Sequence, residues 1–237
     1  MNRPPKTPQD PLKSGKSAEP DSYDRLPQIG DSHALGVKYV LGPDTVARLE
    51  TYEQLLRRWQ SAVNLVAKSS LDQVWQRHFA DSAQLFGMAP EAKHWLDIGS
   101  GAGFPGLVIA LIGADAGIRV CLVESSERKC AFLAEVARET DVAVEIRNER
   151  IESYASQRTV ARSDVVTARG LAPLEKILRL SAPLFGANTV GLFLKGRQAE
   201  SEVEAAKRDW TFHVKLVPSR TDRSARIVEV RNPAAKR

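Results

Sequence analysis

The sequence predicts an α/β fold, a mostly parallel seven-stranded sheet with one antiparallel strand and an N-terminal helical cap. Three observations carry that prediction. From His94 onward, short apolar runs alternate with helical patterns, the order that builds a parallel sheet covered by helices on both faces. The last two runs, "TFHVKLV" and "ARIVEVR", are joined by a short polar loop containing Pro218, Ser219, Asp222 and Arg223, so they form a hairpin that reverses one strand. Ahead of His94 lie helical patterns with no strand between them.

Taken in order, the chain begins with a stretch unsuited to folding. Six of its thirteen prolines fall within the first 27 residues, among Ser, Lys and Asp and few large apolar side chains. Such a segment buries too little surface to offset its ordering entropy, and residues 1–38 are expected to form a disordered tail. A helical cap over residues 39–90 follows. Pro43 suits a first helical position, and Val46, Leu49, Tyr52, Leu56, Trp59 and Val63 recur at spacings of three and four. A second helix after Ser70 carries Leu71, Val74, Trp75, His78, Phe79, Leu85 and Phe86 on or near one face. The third unit, residues 91–237, holds the sheet. Its strands are predicted at "HWLDI", "RVCLVE", "VAVEI", "DVVTA" and "TVGLFLK" before the hairpin. Helices open near Phe104, Ser126, Ile151 and Leu171, and a last one covers residues 197–208.

Composition removes several classes of function. No apolar run approaches the ~18 residues of a membrane span, and the polar N-terminus does not read as a secretory signal. Cys121 and Cys130 form neither a metal pattern nor a disulfide framework, which suits a reducing cytoplasm. The four histidines have no ligand-like spacing, so no metal is expected. The net charge of +5 is unevenly placed. Residues 39–194 hold 17 Lys/Arg against 18 Asp/Glu, whereas residues 195–237 hold 11 against 6. A basic C-terminal segment of this kind fits either a nucleic-acid partner or a solvated surface.

The chemistry concentrates in "LDIGSGAGFPG", residues 96–106. Gly101, Gly103 and Gly106 form a G-x-G-x-x-G at a strand-to-helix turn, and Glu124 ends the next strand twenty-one residues after Gly103. This is a nucleotide-binding fingerprint, but glycines do not identify the ligand. Charge is the better discriminator. A pyrophosphate wants bare helix N–H groups with no carboxylate nearby, and Asp97 stands two residues before the loop's first glycine, Gly99. S-adenosylmethionine (SAM) carries a cationic sulfonium and amine, which a carboxylate at Asp97 favours, while Glu124 can accept from both ribose hydroxyls. The other role open to Asp97 is an acceptor for the turn itself. The reversed strand also fits the Rossmann-like methyltransferase layout, and this sequence leaves no length for the second βαβαβ half that NAD binding predicts.

Around this loop, "DIGSGAGFPG", "LVESSERKCAFL", "NERIES", "TARGLAPLEKIL" and "FLKG", preceded by "NLVA" and "RHFADS", resemble the RsmG family, also called GidB, from about Asn64 to Gly196. Members of that family are bacterial SAM-dependent enzymes that methylate N7 of a guanine in the decoding-region loop of 16S ribosomal RNA. The resemblance implies that activity, with 16S ribosomal RNA or the small ribosomal subunit as partner. Carried over by position, it implies SAM contacts from Gly99 and Phe104 in the loop, from Ile151 and Glu152 after the third strand, and from Arg169 after the fourth. Phe104 also reads as a core aromatic, and Arg169 as a surface ion pair. The N-terminal extension departs from typical members, and the resemblance is silent on it.

The absences fit that chemistry. N7 of guanine has an in-plane lone pair and no proton, so transfer asks for positioning and no general base, and no catalytic residue is assigned. The sequence lacks the Asn/Asp-Pro-Pro-aromatic tetrapeptide of amino-group methyltransferases, and neither cysteine follows a proline as a carbon-5 nucleophile's usually does. Lys195, ending the fifth strand, and Arg197 just beyond it are assigned to RNA, with Arg220, Arg223 and Arg226 as an outer patch. His78 and Asp81 share one helix side, where they either close the site or make an ordinary helix–sheet contact. The alternatives are a methyltransferase acting on another RNA or a small molecule, a non-enzymatic RNA-binding factor, or an NAD-dependent oxidoreductase. A cytoplasmic monomer is expected.

Overall fold

The computed structural model describes residues 28–157 and 162–236. Strands β1 (His94–Ile98), β2 (Arg119–Glu124), β3 (Glu145–Asn148), β4 (Val165–Arg169), β5 (Val190–Lys195), β6 (Trp210–Pro218) and β7 (Arg226–Ala235) form one sheet in the order β3-β2-β1-β4-β5-β7-β6. The first five are parallel, and β7 runs antiparallel to both β5 and β6. Strand order turns back on itself between β1 and β4, and the carboxyl ends beside such a switch point are where open α/β sheets place their ligands.

The central strands are buried on both faces, which is why they read as near-continuous apolar runs. Successive residues alternate between two cores. Trp95, Val165, Leu192 and Leu194 pack on one face with α2 (Pro43–Gln60), α4 (Gly106–Ile112) and α5 (Glu127–Glu139). Leu96, Ile98, Val166 and Phe193 pack on the other with α6 (Ile151–Ser156), α7 (Leu174–Ser181) and α8 (Ala199–Ala206). Both β4 and β5 end in a cation whose side chain is largely buried, Arg169 and Lys195, as the chain leaves the core. The sheet therefore delivers two charges to its ligand end.

Three expectations need correction. The stretch assigned to a disordered tail ends earlier than residue 38. Residues 1–27 lie outside the described residues, but Ile29 and Leu35 are buried, and the Ile29 N–H donates to Gln76 Oε1 at 2.7 Å. The helix α1 (Ser32–Tyr39) starts where the Asp31 side chain accepts from the Ala34 N–H at 2.8 Å, and it packs on α2. Averaging this short helix with the proline-rich residues before it hid its apolar anchors. The helix expected after Ser70 is instead a 3-10 turn (Lys68–Gln73), a π-helical turn (Trp75–Ala80) and α3 (Asp81–Phe86). Finally, β3 starts at Glu145, later than "VAVEI" suggested. Residues just ahead of it close α5: the Val142 N–H bonds Ala137 O, and Asp141 takes a left-handed φ of 49°.

Candidate active site

A cleft of about 1090 Å³ opens at the carboxyl ends of β1, β2, β4 and β5. Of the residues selected from the sequence, Gly99, Gly101, Phe104, Glu124, Ile151, Glu152, Arg169 and Lys195 line it. Asp97 and Gly103 sit behind the surface, and Arg197 lines an adjoining hollow with Asp222 and Ser224. The volume is at the upper end of small-ligand sites, so a nucleoside cofactor leaves space beside it.

The wall below β1 and β2 is made of backbone. Gly99, Gly101 and Gly103 have φ of 68°, 58° and 92°, a region that side-chain-bearing residues rarely adopt. The amides of Gly99 and Ser100 both donate to Val123 O, at 2.8 and 3.1 Å. Glu124 fixes the same loop from the next strand. Its Oε2 accepts the Gly101 N–H at 2.9 Å and its Oε1 the Ser126 N–H at 2.8 Å. A carboxylate has about four lone-pair sites, so two remain for a ligand in the cleft. A Cβ at Gly101 would meet only Gly99 O, at 3.8 Å, so the loop's surface there is bare backbone. At Gly103 it would lie 2.6 Å from Leu107 Cδ1 and 2.7 Å from Tyr52 Oη, so a side chain there would have to displace both.

Asp97 has the turn-holding role. Its Oδ1 accepts from Thr167 Oγ1 at 2.8 Å and its Oδ2 from the Gly106 N–H at 3.2 Å, with only 1% of the residue exposed. Burial pushes this carboxyl up to about 6, against the hydrogen bonds from Thr167, Ser100 and Gly106 that favour its charge. The expectation that Asp97 turns its charge toward a bound cation is therefore corrected. It braces the loop from behind, through the neighbouring strand.

The wall below β4 is held by side chains from the cap. Arg169 donates to Arg77 O at 2.9 Å and to His78 Nδ1 at 2.7 Å, and lies 3.6 Å from Asp81 Oδ2. Its guanidinium also stands 4.9 Å over the Phe104 ring. Phe104 stacks on His78 and Tyr52, so it is both a cleft residue and a core aromatic. Hydrogen-bond direction fixes the His78 tautomer. Ser70 Oγ gives its proton to Ala67 O, so it accepts from Nε2–H of His78, leaving Nδ1 to accept from Arg169. Burial and the charges of Arg169 and Arg77 bring this imidazole down to about 3, so it is neutral. Asp81, raised by burial, accepts from Thr221 Oγ1 at 2.7 Å and from Gln84 Nε2 at 2.9 Å. Arg169 is thus a buried, oriented cation and not the surface ion pair that was its other reading.

Lys195 is not the free cation its position in the sequence suggests. Its side chain is 8% exposed, and its Nζ lies 2.5 Å from both Glu202 Oε2 and Ala172 O. Arg197 is exposed. The sequence reading missed Thr167, Glu202, Thr221 and Gln84. Each is an ordinary residue type whose role arises only from a partner far along the chain. Among the described residues no cluster of His, Cys, Asp and Glu could hold a metal ion, and no helix is long and apolar enough to cross a membrane.

A seven-stranded sheet of this order, with a glycine turn after β1 and a carboxylate ending β2, defines a Rossmann-like, SAM-dependent methyltransferase. The bare loop at Gly101 and the spare lone pairs of Glu124 suit that cofactor's nucleoside. Residues 45–227 match the family described as rRNA small subunit methyltransferase G (GidB). Over 200 residues the chain is 48% identical to ribosomal RNA small subunit methyltransferase G of Methylorubrum extorquens (strain PA1), spanning 84% of this chain and 93% of that one. It is 44% identical over 207 residues to the protein of the same name from Parvibaculum lavamentivorans, spanning 86% and 91%. Its fold is similar to that of the SAH-bound methyltransferase PaMTH1 of Podospora anserina, with a TM-score of 0.57 at 13% identity over 91% of this chain and 98% of that one. The chain belongs to the rRNA small subunit methyltransferase G family.

Proposed function

We propose that this protein methylates N7 of a guanine in the decoding-region loop of 16S ribosomal RNA, acting as a cytoplasmic monomer on that RNA or on the small ribosomal subunit. The observation that carries this reading is the family match over residues 45–227. The cleft supports it, because its size leaves room for a second substrate. Bound SAM supplies an electrophilic methyl group. Gly99 and Gly101 would hold it through their backbone, Glu124 through its ribose, Ile151 and Glu152 beside its adenine, and Arg169 through its carboxylate.

The guanine needs little else. N7 carries a ring lone pair and no proton, so the acceptor would need to be positioned and would need no residue to take a proton from it. The histidine lining the described cleft agrees with this, since His78 has both ring nitrogens engaged and is not placed to act as a base. Arg197 and Arg220, both exposed, would meet RNA phosphates, with Arg226, paired to Glu200, at their edge. The test is to map N7-methylguanine in ribosomal RNA from a strain lacking the gene and from the same strain complemented. Loss and return of one modified guanine in 16S ribosomal RNA is the expected result. An unchanged pattern would refute the assignment, and a change in another RNA would redirect it.

A further inference from the structure

The turn after β4, residues 170–173, lies against the glycine loop beside the cleft and is held at several points. Arg169, just before it, is tied to the cap. The Leu171 side chain fills the hollow left by Gly99, where a Cβ would lie 2.6 Å from Leu171 Cδ1. Ala172 O accepts from Lys195 Nζ at 2.5 Å, and the Leu174 N–H donates to Glu202 Oε2 at 2.8 Å. Lys195 and Glu202 are themselves paired through that same Oε2 at 2.5 Å, so one ion pair grips both the carbonyl of Ala172 and the amide of Leu174.

This arrangement bears on what the lysine is for. An ammonium has three donor protons, and two of these are committed to Glu202 and Ala172. Its charge is neutralised at contact distance, and the side chain is almost wholly buried. A phosphate reaching Lys195 would approach the Glu202 carboxylate as well, and two like charges at short range repel. Arg197, two residues further on, is exposed, and it shares its hollow with Asp222 and Glu202.

We propose that Lys195 and Glu202 are positioning residues: they clamp the turn after β4 so that Leu171, Ala172 and Pro173 form a fixed apolar wall against which the methyl-accepting base is held. The inference rests on the methyl-transfer reading above. An in-line displacement depends on the placement of the acceptor, and a misplacement of about 1 Å costs on the order of a hundredfold in rate. The clamp acts through the turn, on which the ammonium and the carboxylate spend their bonds.

The experiment uses the full chain with Lys195→Met, Glu202→Ala, the double variant and Lys195→Arg. RNA affinity is measured without cofactor, by filter binding of a 16S ribosomal RNA fragment over a range of salt, and turnover is measured with SAM. In both single variants kcat should fall about tenfold or more, while the RNA KM and the salt slope stay as in wild type. The double variant should be no worse than the worse single, because the two side chains act as one device. Lys195→Arg, which keeps a donor for both partners, should restore most of kcat, and this conservative variant keeps the test open if Lys195→Met melts early. A salt slope lower by about 0.7 to 0.9 in Lys195→Met, with tighter RNA binding in Glu202→Ala, would overturn the proposal and make Lys195 a phosphate ligand. Wild-type kcat in both single variants would overturn it too. If wild-type enzyme methylates no RNA, the methyl-transfer reading fails instead. The clamp itself is then read from hydrogen exchange at the Leu174 amide, which should quicken in Glu202→Ala.

Discussion

On the β1–β2 wall of the cleft, the holding bonds start from backbone amides: Gly99 and Ser100 onto Val123 O, Gly101 and Ser126 onto Glu124, Gly106 onto Asp97. On the β4–β5 wall they start from charged side chains, Arg169 reaching into the cap and Lys195 into the turn beside it. The first wall is fixed by φ angles that only glycine adopts easily, so it is sensitive to Cβ atoms and indifferent to most charges. The second is fixed by ion pairs and a neutral imidazole, so charge substitution reaches it directly, while pH reaches both walls, through His78 here and through Asp97 in the first. A fixed backbone suits a ligand that is always the same. Interlocked side chains suit a wall shaped for one acceptor.

Four substitutions would break or sharpen this contrast. Gly103→Ala forces a Cβ into Leu107 and Tyr52 at a φ of 92°, and should cost about 3 kcal/mol or more of stability in urea unfolding. A cost below about 1 kcal/mol would mean that the backbone wall yields easily.

His78→Gln tests the other wall through pH. The wild-type imidazole is held at about 3, below its ordinary 6.5, so its stabilising contribution is present above pH 6.5 and lost as pH falls. Between pH 7.5 and pH 5 wild type should lose about 2 kcal/mol from this group, a loss that the glutamine variant lacks. Parallel stability curves for the two proteins would contradict a buried, neutral His78.

Asp97→Asn should show the opposite sign over the same window. Its carboxyl is held near 6, above its ordinary 3.8, so its contribution is present below pH 3.8 and lost as pH rises through 6. The asparagine variant should therefore gain about 1 kcal/mol on wild type between pH 5 and pH 7.5. SAM affinity, read by calorimetry, should stay close to wild type in this variant. A large fall would return Asp97 to the role of charge partner for the cofactor.

The smallest effect is expected away from both walls. Val40 ends α1 with a left-handed φ of 55° and 90% exposure, a position that glycine ordinarily takes. Val40→Gly should raise stability by about 0.5 to 1 kcal/mol, seen as a higher Tm, with cofactor and RNA binding unchanged.

The backbone wall was legible in the sequence because its partners follow each other along the chain. Gly101 and Glu124 are 23 residues apart, and their spacing is itself the fingerprint. The strands were equally plain, since burial on both faces makes each a continuous apolar run. The side-chain wall was not legible. Arg169 and His78 are 91 residues apart, and nothing in either neighbourhood names the other. Lys195 was seen as a charge, but its partner Glu202 looked like any acidic residue on a helix surface. Asp97 shows the limit differently. Its position was read correctly, but whether it faces the ligand or the loop depends on Thr167, which comes from a strand that is its neighbour only in space.

The last hairpin does more than complete the sheet. Thr221 donates to Asp81, the Arg220 N–H bonds Gln84, and Gln76 donates to Thr221 O, contacts that join positions 136 to 145 residues apart. The cap leaves the ribosome first during synthesis, yet its carboxylate has no hydroxyl partner until the final fifth of the chain has followed. At about 5–20 residues per second, the 140 residues between Asp81 and Thr221 take about 7 to 28 seconds to translate. The glycine loop has Glu124, its partner on the next strand, within the first third of that interval, about 2 to 9 seconds. The bond from Gly101 to Glu124 thus has both its partners in the chain well before the bond between Thr221 and Asp81 can form.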